Sequence, residues 1–257
     1  MATATLRCPM PAPLISVIIV CRNPGPALRT ALGSVWQQEA GDHEVVVVDG
    51  ASTDGTREWL AEQSARLGAW VSEPDGGVYD AMNKAFRLAQ GEWVLFLGAD
   101  DRLADRGVLT AVKPDLKNPT AGVVVGEAAY DDGRVYRSGA TGSAVQRNFV
   151  HHQAAFYRRT LFEKHGGFDA TLPTRADYDF NLRLMQAGTV FQSVRARIAV
   201  CGSGGLSDSG RWSGYREEIT VRHRHFPAWR CWLWDAGSGV RYLRKKIVRS
   251  FASTRPE

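Results

Sequence analysis

The sequence predicts an α/β fold: a mostly parallel central sheet flanked by helices. Three observations carry this. Short β-branched runs recur through the first hundred residues. Between them, apolar residues repeat at helical spacing. Polar residues fall just past the end of each run. Such alternation marks βαβ units, whose strands are covered on both faces and so read as unbroken apolar stretches.

Leu-Ile-Ser-Val-Ile-Ile-Val at 14–20 reads as the first buried strand. Pro24 and Pro26 then punctuate a turn, and a helix follows with Leu28, Leu32, Val35 and Trp36 on one face. The second strand is Glu44 to Val48, ending at Asp49. The loop "DGASTDGT" offers Asp54 or Thr56 as N-cap for a helix carrying Trp59, Leu60 and Leu67. A third strand, Ala69 to Ser72, runs into "EPDGG". The next helix places Val78, Met82, Phe86 and Ala89 on one face and stops at Gly91. The fourth strand, Trp93 to Leu97, delivers Asp100 and Asp101 past Gly98 and Ala99. Ligands of doubly wound sheets bind beyond the carboxyl ends of the strands. Asn23, Asp49, Asp75, Asp100 and Asp101 all fall there and should converge on one crevice.

After residue 101 the rhythm changes. "GVVVGEAAY" (122–130) and "GRVYRSG" (133–139) form a hairpin around Asp131-Asp132-Gly133. "HHQAAFY" reads as a strand, on which His151 and His152 would point to opposite faces and could not easily share one metal ion. "DYDFNLRLMQAG" is a helix with Phe180, Leu184 and Ala187 inward and Gly188 at its end. "TVFQSV" and "RIAVCG" read as two closing strands.

Composition is ordinary for a globular chain of 257 residues, 44% hydrophobic and 23% charged. The net charge of +5 is unevenly placed. From Arg222 onward nine Lys/Arg face two acids, whereas the remainder has 23 bases and 25 acids. A basic tail on a near-neutral body suggests an anionic surface as partner. The cysteines, at 8, 21, 201 and 231, form no Cys-x-x-Cys pair, so zinc and a disulfide scaffold are not indicated; buried thiols in a reducing cytoplasm fit better. The N-terminus is a poor signal peptide, and no apolar run reaches the roughly 20 residues needed to span a bilayer. A soluble or peripheral protein is expected. In the tail, Trp229, Trp232 and Trp234 interleave with cations. After Gly239, Val240, Leu243, Ile247 and Phe251 share a helix face opposite Arg244, Lys245 and Arg249. Such a helix suits a membrane interface, which gives an anionic membrane contact through residues 222–251. The plain alternative is a helix packed on the domain with a solvated basic face. No nucleic-acid motif is present, and nucleic-acid binding is not expected.

A carboxylate pair at a strand end, taken alone, is either a Mg²⁺ or Mn²⁺ site or a solvated turn. Its surroundings are more specific. "VIIVCRNPGPALRTALGSVWQQ", "EVVVVDGASTDGT", "SEPDGGVYDAMNKAFRLAQGEWVLFLGADD" and "ADYDFNLRL" occur in this order. Together they closely resemble the family 2 inverting glycosyltransferases, nucleotide-sugar enzymes of the GT-A fold, and above all members that assemble bacterial exopolysaccharide and O-antigen. The resemblance covers residues 14–205. It implies a nucleotide-sugar-binding half at 14–101, an acceptor-binding half at 102–205 and a basic helical extension at 206–257.

By this resemblance Asp49 hydrogen-bonds the nucleotide base, Asp101 contacts a divalent cation (Mn²⁺ or Mg²⁺) and Asp100 the ribose side. Asn23, Asp75, Gly76, Asn83 and Lys84 join the donor-binding set, with Tyr79 and Asp80 in the same segment; Lys84 reads equally as an ordinary exposed helix residue. An ion beside the carboxylates would offset the repulsion of a diphosphate and take up charge on the leaving group. Asp177 matches the catalytic base, and inversion requires only one such carboxylate. Asp179 is its rival, with Arg183 four residues on as a surface partner. His152 and Gln153 would contact the acceptor or donor sugar; a hydrogen-bonded core histidine is the plain alternative for His152. Two positions depart from the family pattern: Ala176 stands where a Glu is common, and Ala99 where an Asp-x-Asp motif has its first acid. The implied activity is transfer of a sugar, with inversion, from a nucleotide-diphosphate donor such as a UDP-sugar to a lipid-linked glycan, at the inner face of the plasma membrane. Two other readings remain open: a non-catalytic, membrane-tethered binder of sugar nucleotides, and a sugar-phosphate nucleotidyltransferase. The latter expects a Gly-rich, Arg-containing loop after the first strand, which "CRNPGP" does not supply.

Overall fold

A computed structural model describes residues 12–138, 144–202 and 212–252, the last six by backbone alone. Strand β1 (Ile15–Cys21) lies parallel between β2 (His43–Asp49) and β4 (Trp93–Gly98), and β3 (Ala69–Ser72) continues parallel to β2. Helices α1 (Ala27–Trp36), α2 (Thr56–Glu62) and α3 (Val78–Leu88) make the crossovers. All four strands therefore end on the same edge. The loops after Cys21, Asp49, Ser72 and Gly98 gather there, as expected.

Each strand is apolar because both faces are covered. Ile15, Val17 and Ile19 pack into one core with α1, α2 and α4 (Val108–Leu116). Ile18, Val46 and Phe96 pack into the other, with α3, α5 (Arg159–His165) and α6 (Ala176–Gln186). Each fully buried large side chain contributes roughly 1.5–3 kcal/mol. Ser16 is the polar exception. Its hydroxyl donates to Glu44 at 2.6 Å and accepts the Gly91 N–H at 2.7 Å. A Cβ on Gly91 would run into the Ser16 backbone, so glycine is what lets this turn close.

Local details differ from the sequence reading. Helix α2 ends at Glu62, and a 3₁₀ turn at Ser64–Arg66 leaves Leu67 buried but outside the helix. Its N-cap position is Gly55, at φ 88°, while the Asp54 carboxylate accepts the Thr56 N–H at 3.2 Å and hydroxyl at 2.6 Å. Helix α3 buries Tyr79, Ala81, Met82 and Ala85, and Ala89 is already extended.

In the second half β5 (Arg102–Leu103), β6 (Ala121–Tyr130), β7 (Val135–Arg137), β8 (Ala155–Arg158) and β9 (Val190–Cys201) complete a sheet of order β3-β2-β1-β4-β8-β6-β9-β5, with β7 on β6. Strand β8 is antiparallel to both β4 and β6, so this half is mixed. The β6–β7 hairpin forms as expected. "TVFQSV" and "RIAVCG" belong to one long strand, β9, whose register against β6 slips at irregularities that absorb the extra residues. The two histidines are not on a strand. His152–Ala154 form a 3₁₀ turn, and the rings of His151 and His152 stack 6.2 Å apart at 21°. Ala187 is exposed beyond the end of α6, and Gly188 closes the helix at φ 77°.

The chain ends in α7 (Trp212–His225) and α8 (Ala228–Ala252). Helix α8 begins well before Gly239 because Cys231 and Ser238 are buried against the body. The side chains of Ile247, Arg249 and Phe251, part of the expected amphipathic face, lie outside the description, as does Cys8. Among the described residues no helix is long and apolar enough to cross a membrane.

Candidate active site

The strand ends enclose a crevice of about 540 Å³. The end of β1 supplies Val20, Cys21 and Arg22, the β3–α3 loop Asp75 and Gly77, and the β4 end Gly98, Ala99 and Asp100. His152, Gln153 and Thr174 close it from the other half. A second chamber of about 260 Å³ adjoins it, sharing Asp100, His152 and Gln153 and adding Asp101, Arg147, Asn148, Arg175 and Asp177. Asp75, Asp100, Asp101, Asp177, His152 and Gln153, scattered over a hundred residues of sequence, therefore meet.

The two carboxylates of the β4–β5 turn differ sharply. Asp100 is exposed at the junction of the chambers. Asp101 is 4% exposed, and it accepts the Gly98 N–H at 3.2 Å and the Gly202 N–H at 3.1 Å. Burial, with the negative charge of Asp100 next to it, raises the Asp101 carboxyl above its ordinary range. Neither acid has a Lys or Arg partner among the described residues. A Cβ on Gly98 would overlap the Asp101 carboxylate, so glycine there makes room for the acid. No three His, Cys, Asp or Glu side chains form a metal cage among the described residues. Two oxygen-bearing acids without a counter-charge nonetheless suit a Mg²⁺- or Mn²⁺-type ion, which keeps open positions for water and phosphate. Ala99 lines the crevice and leaves Asp100 alone at its mouth.

Asp177 opens α6, where the partial positive charge of the helix start favours a carboxylate. Its Oδ1 accepts the Tyr79 hydroxyl at 2.9 Å. Its Oδ2 accepts Asn148 Nδ2 at 2.7 Å and lies 3.1 Å from His152 Nδ1. Burial alone would raise this carboxyl, but the hydrogen bonds from His152 and Tyr79 and the charge of Arg175 hold it down at about 2. Burial and the Asp177 charge push the Tyr79 hydroxyl well up, so it stays a donor.

Ala176 is fully buried in the core shared by α6 and β8. An acid arrives from elsewhere. Glu217 on α7 accepts the N–H groups of Thr174 at 2.8 Å and Arg175 at 2.7 Å, holding the segment that leads into α6. The sequence reading does not reach Asn148 or Glu217, which only the tertiary fold brings to Asp177 and to the segment before it, nor Arg175, two residues ahead of Asp177, whose charge has no motif to mark it.

Other expected contacts sit elsewhere. Asp49 is fully buried, and its carboxylate accepts the Ser52 N–H and hydroxyl and the Ser72 hydroxyl. It pins the turn after β2, where Ala51 adopts φ 55°, and does not face the crevice. Asn23 is exposed beside the mouth and ties its loop to Thr53 at 2.8 Å. The Gly76 N–H is taken by Asp80 at 2.9 Å; Gly77 is the glycine that lines the crevice. Asn83 exchanges both amide functions with the Phe168 backbone, at 2.8 and 2.9 Å, and so braces a loop rather than a donor. Lys84 donates to the Pro74 carbonyl at 2.8 Å and pairs with Glu73 at 3.0 Å, steadying the segment that carries Asp75. Asp179 makes the expected bridge to Arg183 at 3.0 Å, but the pair is no surface bridge. Asp179 is 5% exposed and also meets His225 at 2.8 Å. Two residues along the helix from Asp177, it points away from the crevice.

Comparison with known proteins agrees with this geometry. The model of the family described as "Glycosyl transferase family 2" matches residues 16–170. A "PGL/p-HBAD biosynthesis glycosyltransferase" of Mycobacterium tuberculosis is 37% identical over 180 residues, 68% of this chain and 70% of its own length. An uncharacterized glycosyltransferase of the same species is 30% identical over 237 residues, 84% of this chain and 86% of its own. Among solved structures, S. aureus TarS 1-349 in complex with UDP-GlcNAc superposes with a TM-score of 0.68 at 19% identity, covering 81% of this chain and 65% of that one, just under two thirds of its length. The mannosyltransferase PcManGT from Pyrobaculum calidifontis, in complex with GDP-Man and Mn²⁺, gives 0.64 at 22% identity, with 92% and 72% covered. The family model spans more than half of the sequence and the sheet is that of GT-A structures, so the chain belongs to glycosyltransferase family 2 and is a glycosyltransferase of the GT-A fold.

Proposed function

We propose that the enzyme transfers one sugar, with inversion, from a nucleotide-diphosphate donor, most simply a UDP-sugar, to a lipid-linked glycan at the inner face of the plasma membrane. One observation carries this: the uncompensated Asp100–Asp101 pair and the Asp177 cluster face each other across joined chambers, bridged by His152 and Gln153. The larger chamber, lined by Arg22, Asp75 and Gly77, takes the donor. The smaller, next to Asp177, takes the acceptor. Asp101 would hold Mn²⁺ or Mg²⁺, which when bound neutralises the diphosphate and stabilises its departure as a Lewis acid. That structural neighbours were solved with GDP-Man and Mn²⁺ (PcManGT) and with UDP-GlcNAc (TarS) supports a nucleotide-sugar donor and a divalent ion. Asp177 and its partners form the basic end of the site, which receives the acceptor hydroxyl's proton.

The membrane contact is assigned to α8. Trp229, Trp232, Leu233, Val240 and Leu243 are each 57–70% exposed and recur at helical spacing, with exposed Arg244 and Lys246 nearby. Aromatic and cationic residues along an apolar stripe suit the headgroup region. This orientation would bring a lipid-borne acceptor to the chamber that Glu218 of α7 helps to line.

The test is a thermal-shift panel of UDP-, GDP- and dTDP-sugars with and without Mn²⁺, on the wild type and D101N. The expected result is metal-dependent stabilisation by one nucleotide class, absent in D101N. Stabilisation by none, or equal stabilisation of D101N, would overturn the assignment.

A further inference from the structure

We infer that the acceptor is a sugar carrying a phosphate, and that Arg147 and Arg175 are the pair of guanidinium groups that bind this phosphate in the smaller chamber. This rests on the transfer reaction proposed above and names the chemistry of its acceptor, with Asp177 as the base.

Both arginines line the smaller chamber, and neither lines the larger. Among the described residues neither guanidinium has a carboxylate at ion-pair distance. The one hydrogen bond from either group runs from Arg175 Nε to the Gly214 carbonyl at 3.5 Å, again among the described residues. The acids nearest them are engaged elsewhere. Asp177 is held by Tyr79, Asn148 and His152. Glu218, which also lines the chamber, takes Arg222 and Arg241 on Oε1, each at 2.6 Å.

The backbone beneath both groups is fixed. Arg147 sits between Gln146 and Asn148. The Gln146 carbonyl accepts the buried Arg222 at 2.6 Å. The Asn148 amide donates to Asp177 at 2.7 Å, and its carbonyl accepts the Tyr136 hydroxyl at 2.7 Å. The Arg175 N–H donates to Glu217 at 2.7 Å, two residues ahead of Asp177. Cations held in place before a ligand arrives lose less entropy when it binds. Their charges meet at the half-buried Tyr136. Burial raises its hydroxyl, Arg147 and Arg175 both oppose the rise, and Asp177 adds to it. The two cations and the base therefore surround one point. An anion drawn to the arginines lies within the span of the sugar whose hydroxyl meets Asp177, so it belongs to that sugar.

The number of donors selects the anion. Each guanidinium presents a planar fork of N–H groups, and a carboxylate has only two oxygens, enough for one fork. A phosphate or diphosphate has oxygens for both. The donor's own diphosphate belongs with Asp100 at the larger chamber, which neither arginine reaches. In a lipid-linked glycan only the first sugar is bonded to phosphate, so the transfer places the second sugar on the carrier. The reaction that supplies such an acceptor moves a sugar phosphate from a nucleotide sugar onto a lipid phosphate, forming the diphosphate link and releasing a nucleoside monophosphate.

Two measurements on the full chain test this. The first needs no turnover. In ¹⁵N-arginine-labelled protein the Nε–H resonances of Arg147 and Arg175 are those removed by Arg147→Gln and Arg175→Gln. Metal-free pyrophosphate and glucose 1-phosphate should move both together, whereas UDP with Mg²⁺ should leave both in place. No movement, equal movement with UDP and Mg²⁺, or tighter binding of glucuronate than of glucose 1-phosphate overturns the proposal. The second follows transfer from UDP-glucose, UDP-N-acetylglucosamine and GDP-mannose with Mn²⁺. The acceptors are glucose, galactose and N-acetylglucosamine, each linked through diphosphate to farnesol or directly to octanol. Transfer should favour the diphosphate-linked acceptors. With whichever pair the wild type turns over, R147Q and R175Q should each raise the acceptor KM about 10-fold or more at unchanged donor KM, with Arg147→Lys in between. Equal use of the octyl glycosides, or an unchanged acceptor KM in both variants, overturns the proposal. Should no pair turn over, the transfer reading fails while the titration still decides the anion site.

Discussion

Asp177 shows how a single side chain couples stability to chemistry. Its carboxyl sits at about 2, below the ordinary value near 4, so the native chain binds this proton less tightly than the unfolded chain does. The group therefore stabilises the fold above about pH 4, and that contribution fades as the pH falls toward 2. D177N should melt about 5 °C lower than the wild type at pH 7, with the gap closing between about pH 4 and 2; thermal scans across that range measure it. A constant gap would mean that packing, not charge, holds the residue. Gly98 makes a second point at this scale. The side chain it lacks is what admits Asp101, so G98A should cut kcat on the order of 100-fold with little change in melting temperature, and a kinetic and thermal comparison with wild type checks both.

Among the elements, α6 is informative because its supports are borrowed. It begins at a core alanine, and its N-cap residue, Arg175, makes no side-chain capping bond. The acid holding the segment before it is Glu217, about forty residues downstream on α7. Glu217→Ala should cost about 1–3 kcal/mol in denaturant unfolding, since three hydrogen bonds to a charged group are lost. Activity should fall as well, because the same segment positions Asp177. A stable variant with full activity would show that α6 needs no help from the C-terminal helices.

For the whole molecule, the joint between body and tail is a buried ionic cluster. Arg222 is fully buried, with guanidinium bonds to Glu218 at 2.6 Å, Asp235 at 2.7 Å, Ser238 at 2.9 Å and the Gln146 carbonyl at 2.6 Å. Removing one member of such a cluster leaves uncompensated charge. Arg222→Met should cost about 3–5 kcal/mol and expose α8 to limited proteolysis. The outer face of α8 carries no such burden. The triple variant Trp229→Ser, Trp232→Ser, Leu233→Ser should keep its melting temperature within about 2 °C, as surface changes usually do, yet lose most binding to anionic-lipid vesicles in co-sedimentation. Unchanged sedimentation would remove the membrane from the proposed function.

By itself the sequence determined the parallel half of the sheet, its crossover helices and the strand-end positions of Asp75, Asp100 and Asp101. Those features are written in local periodicity and in residues adjacent along the chain. It also placed Asp177 and His152 among the functional residues, though only through a family pattern. Tertiary structure decided the rest. Asp49 faces inward to the Ser52 and Ser72 hydroxyls, and Asn83 to the Phe168 backbone 85 residues on. His152 opens a 3₁₀ turn, with His151 just ahead of it, and neither is on a strand, because strand β8 starts only at Ala155. Glu217, Asn148 and Arg222 gain their roles from contacts across 29 to 76 residues of sequence. The physical reason is the same in each case: periodicity reports which face of an element is buried, whereas the partner of a polar group is fixed only when distant elements pack against it.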